Sequence, residues 1–490
     1  YDDRGRLSQT VSDNHLGGMD RDFFSYDFNG NALRHLHRQT GAGNEILSDS
    51  YTYEYDHAER LVKALHRLGD AQEVILIDNV YDDLGRLSRK TFHNGLLNTS
   101  YSYNIRSWLT GITGSSFEQV LHYTDGTGIP YYNGNISSMV WKSGEDDIMR
   151  GYHFTYDNLN CLTNAVYGEG SVIVQNQNRF NEQVTGNDKR SNNLGIKRSG
   201  QTSSTGYGLI DDLAMSYNGN QLKSVSDRAT NSVYGNGFDF KDGVNKEAEY
   251  EYDENGNMTK DLNKKILNIQ YNFINLPSRI EFENGHVISY LYDADGIKLR
   301  TTHIIGSDTT VTDYCGNVIY ENGIPVKLLT EAGYVTLADS KYHYFVQDHL
   351  GNNRVVVDQS GNVEEVNHYY PFGGLLSSSV SNAVQPYKYN GKELDRKNGL
   401  DWYDYGARMY DAALGRWHAV DPMSEKYYSW SPYTYCKNNP VLRIDLDGKD
   451  DYVISRSGRL FNETPIDKRG KGSTDNLYLS SDRSISVTVH

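Results

Sequence analysis

Apolar and polar positions alternate with a period of two over short stretches of the chain. Tyr51-Thr52-Tyr53-Glu54-Tyr55 and Ile288-Ser289-Tyr290-Leu291-Tyr292 are two such runs. That period puts successive side chains on opposite faces of a strand. No helical stripe persists beyond about 12 residues, so strands are expected almost throughout. The runs are separated by a recurring signal: an aromatic, an Asp or Asn, two variable residues, then Gly or another turn former. Tyr1-Asp2-Asp3-Arg4-Gly5-Arg6-Leu7 and Tyr81-Asp82-Asp83-Leu84-Gly85-Arg86-Leu87 are nearly identical copies. Tyr26-Asp27-Phe28-Asn29-Gly30-Asn31 and Tyr252-Asp253-Glu254-Asn255-Gly256-Asn257 form a second flavour, and Tyr292-Asp293-Ala294-Asp295-Gly296 another. Weaker copies start at Tyr55, Tyr103, Tyr156, Tyr217 and Tyr271.

Each copy has a physical meaning. Asp or Asn bonds its own backbone, and Gly accepts positive φ, so the pair makes a tight turn. One turn with its flanking strands is a hairpin of about 20 residues, too small to bury its own apolar face. Stacked copies can bury it, in a long sheet that coils or closes on itself. The expected fold is all-β. Residues 183–206 are polar and interrupt the pattern, and they are expected to form an insertion loop.

Composition sharpens this picture. Only 37% of the 490 residues are hydrophobic, and 40 residues are Tyr. Tyr pairs an apolar ring with a wet hydroxyl, which suits a sheet with one face in water. The formal net charge of −16 argues against a general nucleic-acid-binding surface. Three scattered cysteines, Cys161, Cys315 and Cys436, exclude a Cys-rich zinc site and a disulfide framework. No run approaches the roughly 18 apolar residues of a membrane-spanning helix. Tyr1 opens in mid-repeat, so the chain is read as a fragment.

Other features carry little chemistry. Asp253 to Asp261 and Asp293-Ala294-Asp295-Gly296 lack the full spacing and bidentate Glu of a calcium loop. Gly470-Lys471-Gly472-Ser473 lacks the glycine spacing of a phosphate loop. No cofactor or metal is expected. His343, His349 and His368 are expected to be hydrogen-bonded sheet residues. Trp402, Trp417 and Trp430 are expected to pack a core. Trp108 and Trp141, if exposed, would be sugar-stacking sites.

The second half carries an ordered series of motifs. Tyr342-His343-Tyr344-Phe345-Val346-Gln347-Asp348-His349-Leu350-Gly351-Asn352 comes first, then Tyr370-Pro371-Phe372-Gly373 and Tyr389-Asn390-Gly391-Lys392-Glu393-Leu394-Asp395. Ala407-Arg408-Met409-Tyr410-Asp411, Val420-Asp421-Pro422, Asn438-Asn439-Pro440 and Asp445-Leu446-Asp447-Gly448 complete it. With the Tyr-Asp repeats, this series resembles the RHS (rearrangement hotspot) family, in a wording similar to versions from Bacteroidota-like bacteria. The resemblance implies a YD-repeat β-shell over 1–305 and an RHS repeat-associated core over 306–448, best matched over 340–448. Residues 449–490 would be a variable tail: the start of a truncated toxin domain, only its lead-in, or a vestigial tail. The implied architecture is a spiralling sheet forming a hollow cocoon, closed by the core as a plug.

The resemblance also implies function. Family shells commonly enclose and deliver a C-terminal toxin. In some members the core is a self-cleaving aspartyl protease, cutting just after an Asp-Pro-x-Gly-Leu motif. Carried over by position, its residues are Arg408, Asp421 and Asp445. This chain departs at the cut motif, with Leu446 and Lys449 in place of Pro and Leu. The rival role for the triad is an ion pair pinning the plug. A further alternative is a surface protein that binds cell-wall glycans. The expected partners are the chain's own C-terminal toxin segment, secretion machinery, an immunity protein or cell-surface glycans, with no nucleic acid on the shell. The expected location is secreted or cell-surface. Asp451 to Leu460 is read as a hairpin, and Ser484 to Val489 as a further strand.

Overall fold

The computed structural model describes residues 1–41, 46–379, 385–454 and 460–462. Seventeen strands, from Gln9–Asp13 to Gln221–Asp227, form one sheet, and thirteen, from Tyr250–Tyr252 to Val363–Val366, form a second. Each strand pairs antiparallel with the next in sequence, so both sheets are meanders of hairpins. The helical pieces among the described residues are five 3-10 turns of three residues each. The fold is an all-β shell wall, as the alternation predicts. Residue 306 lies in the tight turn joining Lys298–Ile305 to Asp308–Cys315, inside the second sheet.

The repeat unit explains the stacking. In most of these turns the Asx carboxyl or amide oxygen accepts two backbone N–H groups, two and four residues on. Asp82 takes Leu84 N at 3.0 Å and Arg86 N at 2.9 Å; Asn104, Asp157 and Asn272 repeat the pattern. The aromatic residue then reaches one hairpin back. The hydroxyls of Tyr26, Tyr81, Tyr103 and Tyr156 donate to the carbonyls of Leu7, Leu61, Leu87 and Ile136 at 2.7–2.9 Å. The Arg of one turn lies over the Tyr ring of the next: Arg6 on Tyr26, Arg60 on Tyr81 and Arg86 on Tyr103, at 4.5–4.9 Å. Tyr252 carries the ladder across the gap between sheets, its hydroxyl accepting from Leu222 N at 3.1 Å. Alternate connections of a meander return to the same edge, so these turns line one rim.

The expectation of a loop over 183–206 is corrected. Glu182–Asn187 and Asn193–Gln201 are paired strands joined by a turn on Asp188. The polar residues are there because they are buried in pairs. Arg198 is bound by Glu182 at 2.6 Å and Asp211 at 3.1 Å, and it donates to the carbonyls of Ala412 and Ala413.

The meander rolls until its second sheet meets its first. His15 contacts Asp313, Gln39 donates to the Cys315 carbonyl, and His66 and His93 bond the hydroxyls of Tyr342 and Tyr344. Strand Asn353–Asp358 is buried along its whole length. Residues 385–448 form a plug containing the four-stranded sheet Glu393–Asp395, Trp402–Asp404, Met409–Asp411 and Arg416–Trp417. The plug caps the rim by donating to its turns. Arg416 bonds the Asn220 carbonyl, Tyr433 that of Gly256, Asn438 that of Ser191 and Asn439 that of Asn160, at 2.7–2.9 Å. A last sheet pairs Arg443–Asp445 with Asp451–Ile454, and that strand with Leu460–Asn462. The expected hairpin from Asp451 is thus present, while Ser484 to Val489 lies outside the described residues.

Tyr81→Phe should cost about 1 kcal/mol in urea unfolding, one hydrogen bond without loss of the ring. Asp82→Ala should cost more, about 2 kcal/mol, because it removes charge-assisted bonds to a turn. Partial burial pushes the Asp82 carboxyl up, but the Arg86 N–H and guanidinium outweigh this and hold it below its ordinary value. The folded value is depressed, so its stabilisation is full above the unfolded value of about 3.9 and fades as pH falls below it. Asp82→Ala should therefore unfold with a flatter acid limb than the parent.

Candidate functional site

The three residues carried over from the family pattern come from separate elements of the plug. Arg408 precedes strand Met409–Asp411, Asp421 follows Arg416–Trp417 in a loop, and Asp445 ends Arg443–Asp445. The fold brings them together. Arg408 Nη2 lies 3.1 Å from Asp421 Oδ2 and 3.3 Å from Asp445 Oδ2. The guanidinium also lies over the Trp417 ring at 4.2 Å, a contact suited to a planar cation. Its remaining donors are spent on the backbone: Nε on the Gly448 carbonyl at 2.6 Å and Nη1 on that of Pro432 at 3.2 Å.

The segment after Asp445 is clamped against this cation. Asp445 Oδ1 accepts Gly448 N at 2.7 Å and Asp447 N at 3.1 Å. Ala407 N donates to the Asp447 carbonyl, and the Lys392 ammonium donates to that of Leu446. Gly448 has φ of +78°, and a Cβ there would sit 2.9 Å from Arg408 N. Glycine is required on both counts. The carried-over motif thus keeps its glycine for a physical reason, while Leu446 and Lys449 depart from it.

Arg408 is 3% exposed and Asp445 fully buried, whereas Asp421 keeps a partly open side chain. Burial pushes the Asp445 carboxyl well up, and neighbouring Asp451 and Asp447 add to this against the pull of Arg408. Burial also raises Asp421, opposed by Arg408. One buried acid and one partly open, Arg-bound carboxyl beside a clamped peptide is an arrangement capable of general acid–base chemistry. The same contacts also pin the plug, so the two roles are not exclusive.

The other aromatic and imidazole groups fall into place. Trp402 and Trp417 are buried, and Trp430 is half-buried on a loop. Trp141 is 1% exposed and donates to His368 Nδ1 at 3.1 Å, which corrects its reading as a sugar-stacking site. Strand residue Trp141 is covered by His368, 227 positions away, and sequence alone gives no sign of that. Trp108 is half-buried against Tyr123 and Arg106. His343 stacks on Tyr334 and bonds Glu364, and His349 Nε2 bonds the Val441 carbonyl. Among the described residues no group of three His, Cys, Asp or Glu side chains could hold a metal ion. Sequence reasoning missed Lys392, the Trp417 stack and Asp451; only the alternation around Asp451 hinted at its strand.

Comparisons with known proteins agree with this architecture. The Teneurin YD-shell family model matches residues 330–441. Salivary gland surface protein 1 of Aedes aegypti is 33% identical over 224 residues, 40% of this chain and 6% of that protein. Toxin subunit YenC1 of Yersinia entomophaga is 26% identical over 193 residues, 36% of this chain and 19% of that protein. The Photorhabdus luminescens Tc holotoxin pore superposes with a TM-score of 0.66 at 18% identity, over 88% of this chain and 21% of that one. The chain has the fold of a YD-repeat shell, with its family-model match confined to 330–441. It spans under a fifth of the length of the two curated relatives, so the shell here is compared with parts of larger proteins. At 18% identity the likeness to the toxin pore is one of fold. No helix among its described residues is long and apolar enough to cross a membrane.

Arg408→Ala should destabilise the shell by about 3 kcal/mol in chemical denaturation, because it leaves two partly desolvated carboxyls without their cation. Arg408→Lys should recover only part of this, since an ammonium cannot repeat the planar stack and the forked donation.

Proposed function

We propose that this chain closes a shell that encloses a C-terminal toxin segment, delivers it, and cuts it free at the plug. One observation carries the reading. The polypeptide leaves the plug at Asp445–Gly448, where the backbone is clamped on a buried Arg408. A segment launched from a buried point is favourably placed for enclosure. The similarity to a toxin subunit supports the same reading.

In this reading the division into wall (1–305), core (306–448) and variable tail (449–490) is functional as well as sequential. Arg408, Asp421 and Asp445 hydrolyse the bond after Lys449. Water adds across the bond, its hydroxyl going to the acyl carbon and a proton to the leaving nitrogen. The partners are the chain's own C-terminal segment, an immunity protein that neutralises it, and a secretion route. The protein acts outside the cell that makes it, either secreted or on the surface.

Intact mass of the purified chain at neutral and mildly acidic pH tests the cut. Two fragments, ending at Lys449 and starting at Asp450, are expected to co-elute on gel filtration. Asp421→Asn and Asp445→Asn should each leave one uncut chain. A parent that stays whole at both pH values would refute self-cleavage. An epitope fused at the C-terminus that trypsin digests as fast as free peptide would refute enclosure.

A further inference from the structure

Asp445 has a second carboxyl neighbour, and it lies on the far side of the proposed cut. Strands Arg443–Asp445 and Asp451–Ile454 pair antiparallel with Asp445 directly opposite Asp451. Opposed residues on such a pair hold their Cβ atoms about 4.5–5.5 Å apart. Two carboxyls on facing positions, one of them fully buried, cannot both ionise cheaply.

The charged surroundings do not remove this constraint. Arg408, Asp447 and the Cys436 thiol face Asp445, and Arg408 also holds Asp421. Arg443, Lys437, Arg408 and Asp421 face Asp451. The cations pull both carboxyls toward ionisation, but burial is the larger effect at each and pushes both up. Arg408 binds Asp445 through Oδ2, and the Gly448 and Asp447 N–H groups occupy Oδ1.

We propose that Asp451 is a positioning residue for the self-cleavage: it keeps a proton on Asp445, and the cut then severs it from the chain that carries Asp445. This rests on the cleavage reading above. In the step, Asp421 takes a proton from the attacking water while the hydroxyl bonds the Lys449 acyl carbon. Asp445 gives its proton to the nitrogen of Asp450 as the C–N bond breaks. The proton on Asp421 then returns to the Asp445–Asp451 pair. After the cut, the severed strand is held by the short pairing Arg443↔Val453 and Ile444↔Tyr452 and by the bonds of Lys426 and Tyr427 to Asp450. When the shared proton leaves at higher pH, two facing carboxylates repel and the severed strand peels off. The site is thus built for one turnover, with acid holding the product and rising pH releasing it.

Two measurements test the inference separately from the cleavage reading. The first is the stability of the uncut Asp421→Asn chain against pH. A raised folded value means that stability falls as pH climbs from the ordinary carboxylate range toward that value. Adding Asp451→Asn should make this fall shallower, leaving the part that burial of Asp445 supplies, and Asp451→Glu should restore it. If both chains show the same profile, no proton is shared and the inference is wrong. The second is the rate of cutting against pH with Asp421 intact. Asp451→Asn should move the alkaline limb down by at least one unit, about a tenfold loss at neutral pH. Superimposed rate profiles would overturn the positioning role. A chain never cut at any pH would overturn the cleavage reading and with it the one-turnover step, whatever the stability profile shows.

Discussion

A tyrosine hydroxyl donating to a carbonyl one hairpin back is the contact on which the wall depends. It joins neighbours that the strand ladder joins already, but at the rim, where a sheet would otherwise fray. The Asx carboxyl below it fixes the turn, and the Arg beside it covers the next ring. Each unit is thus tied to its predecessor by a ladder, a hydrogen bond and a cation on a ring. No unit has a core of its own, so the wall gains stability only by adding copies. The composition follows: Tyr supplies both the apolar face and the donor.

The plug obeys a different rule. It is held by buried arginines whose donors are shared between carboxylates and backbone. Arg198 of the wall spans Glu182, Asp211 and two plug carbonyls. Within the wall, Arg354 does the same for strand Asn353–Asp358, bonding Asp348 at 2.7 Å and facing the rings of Trp141 and Tyr369. Arg408 gathers Asp421, Asp445 and the Gly448 carbonyl. Such groups add little net stability over well-packed apolar residues, but leaving one unpaired is expensive. They therefore fix where the plug sits more than how tightly it holds.

What could be read from the chain alone was what is local. Turns at Asp82 or Asp253 announce themselves because the Asx–Gly chemistry lies within five residues. The wall follows from repetition. Burial between distant segments leaves no such trace. Residues 183–206 look like a loop because Arg198 finds its partners partly in the plug, more than 200 positions on. Trp141 looks available because its cover, His368, comes far later. The grouping of Arg408, Asp421 and Asp445 was legible only through resemblance to a family. Asp451 was not, since its place depends on a strand register that no pattern in the sequence dictates.

The order of contacts along the chain has a consequence for synthesis. Within each sheet every strand pairs with the one just before it, so the wall can assemble as it emerges from the ribosome, one hairpin behind the exit. The seam is different: His66 waits for Tyr342, and Trp141 waits for His368. The rim waits longer still, for Asn438 and Asn439. A nascent shell therefore stays open until Asn438 and Asn439 are made. Whatever the tail carries is translated at the moment the vessel is ready to be sealed.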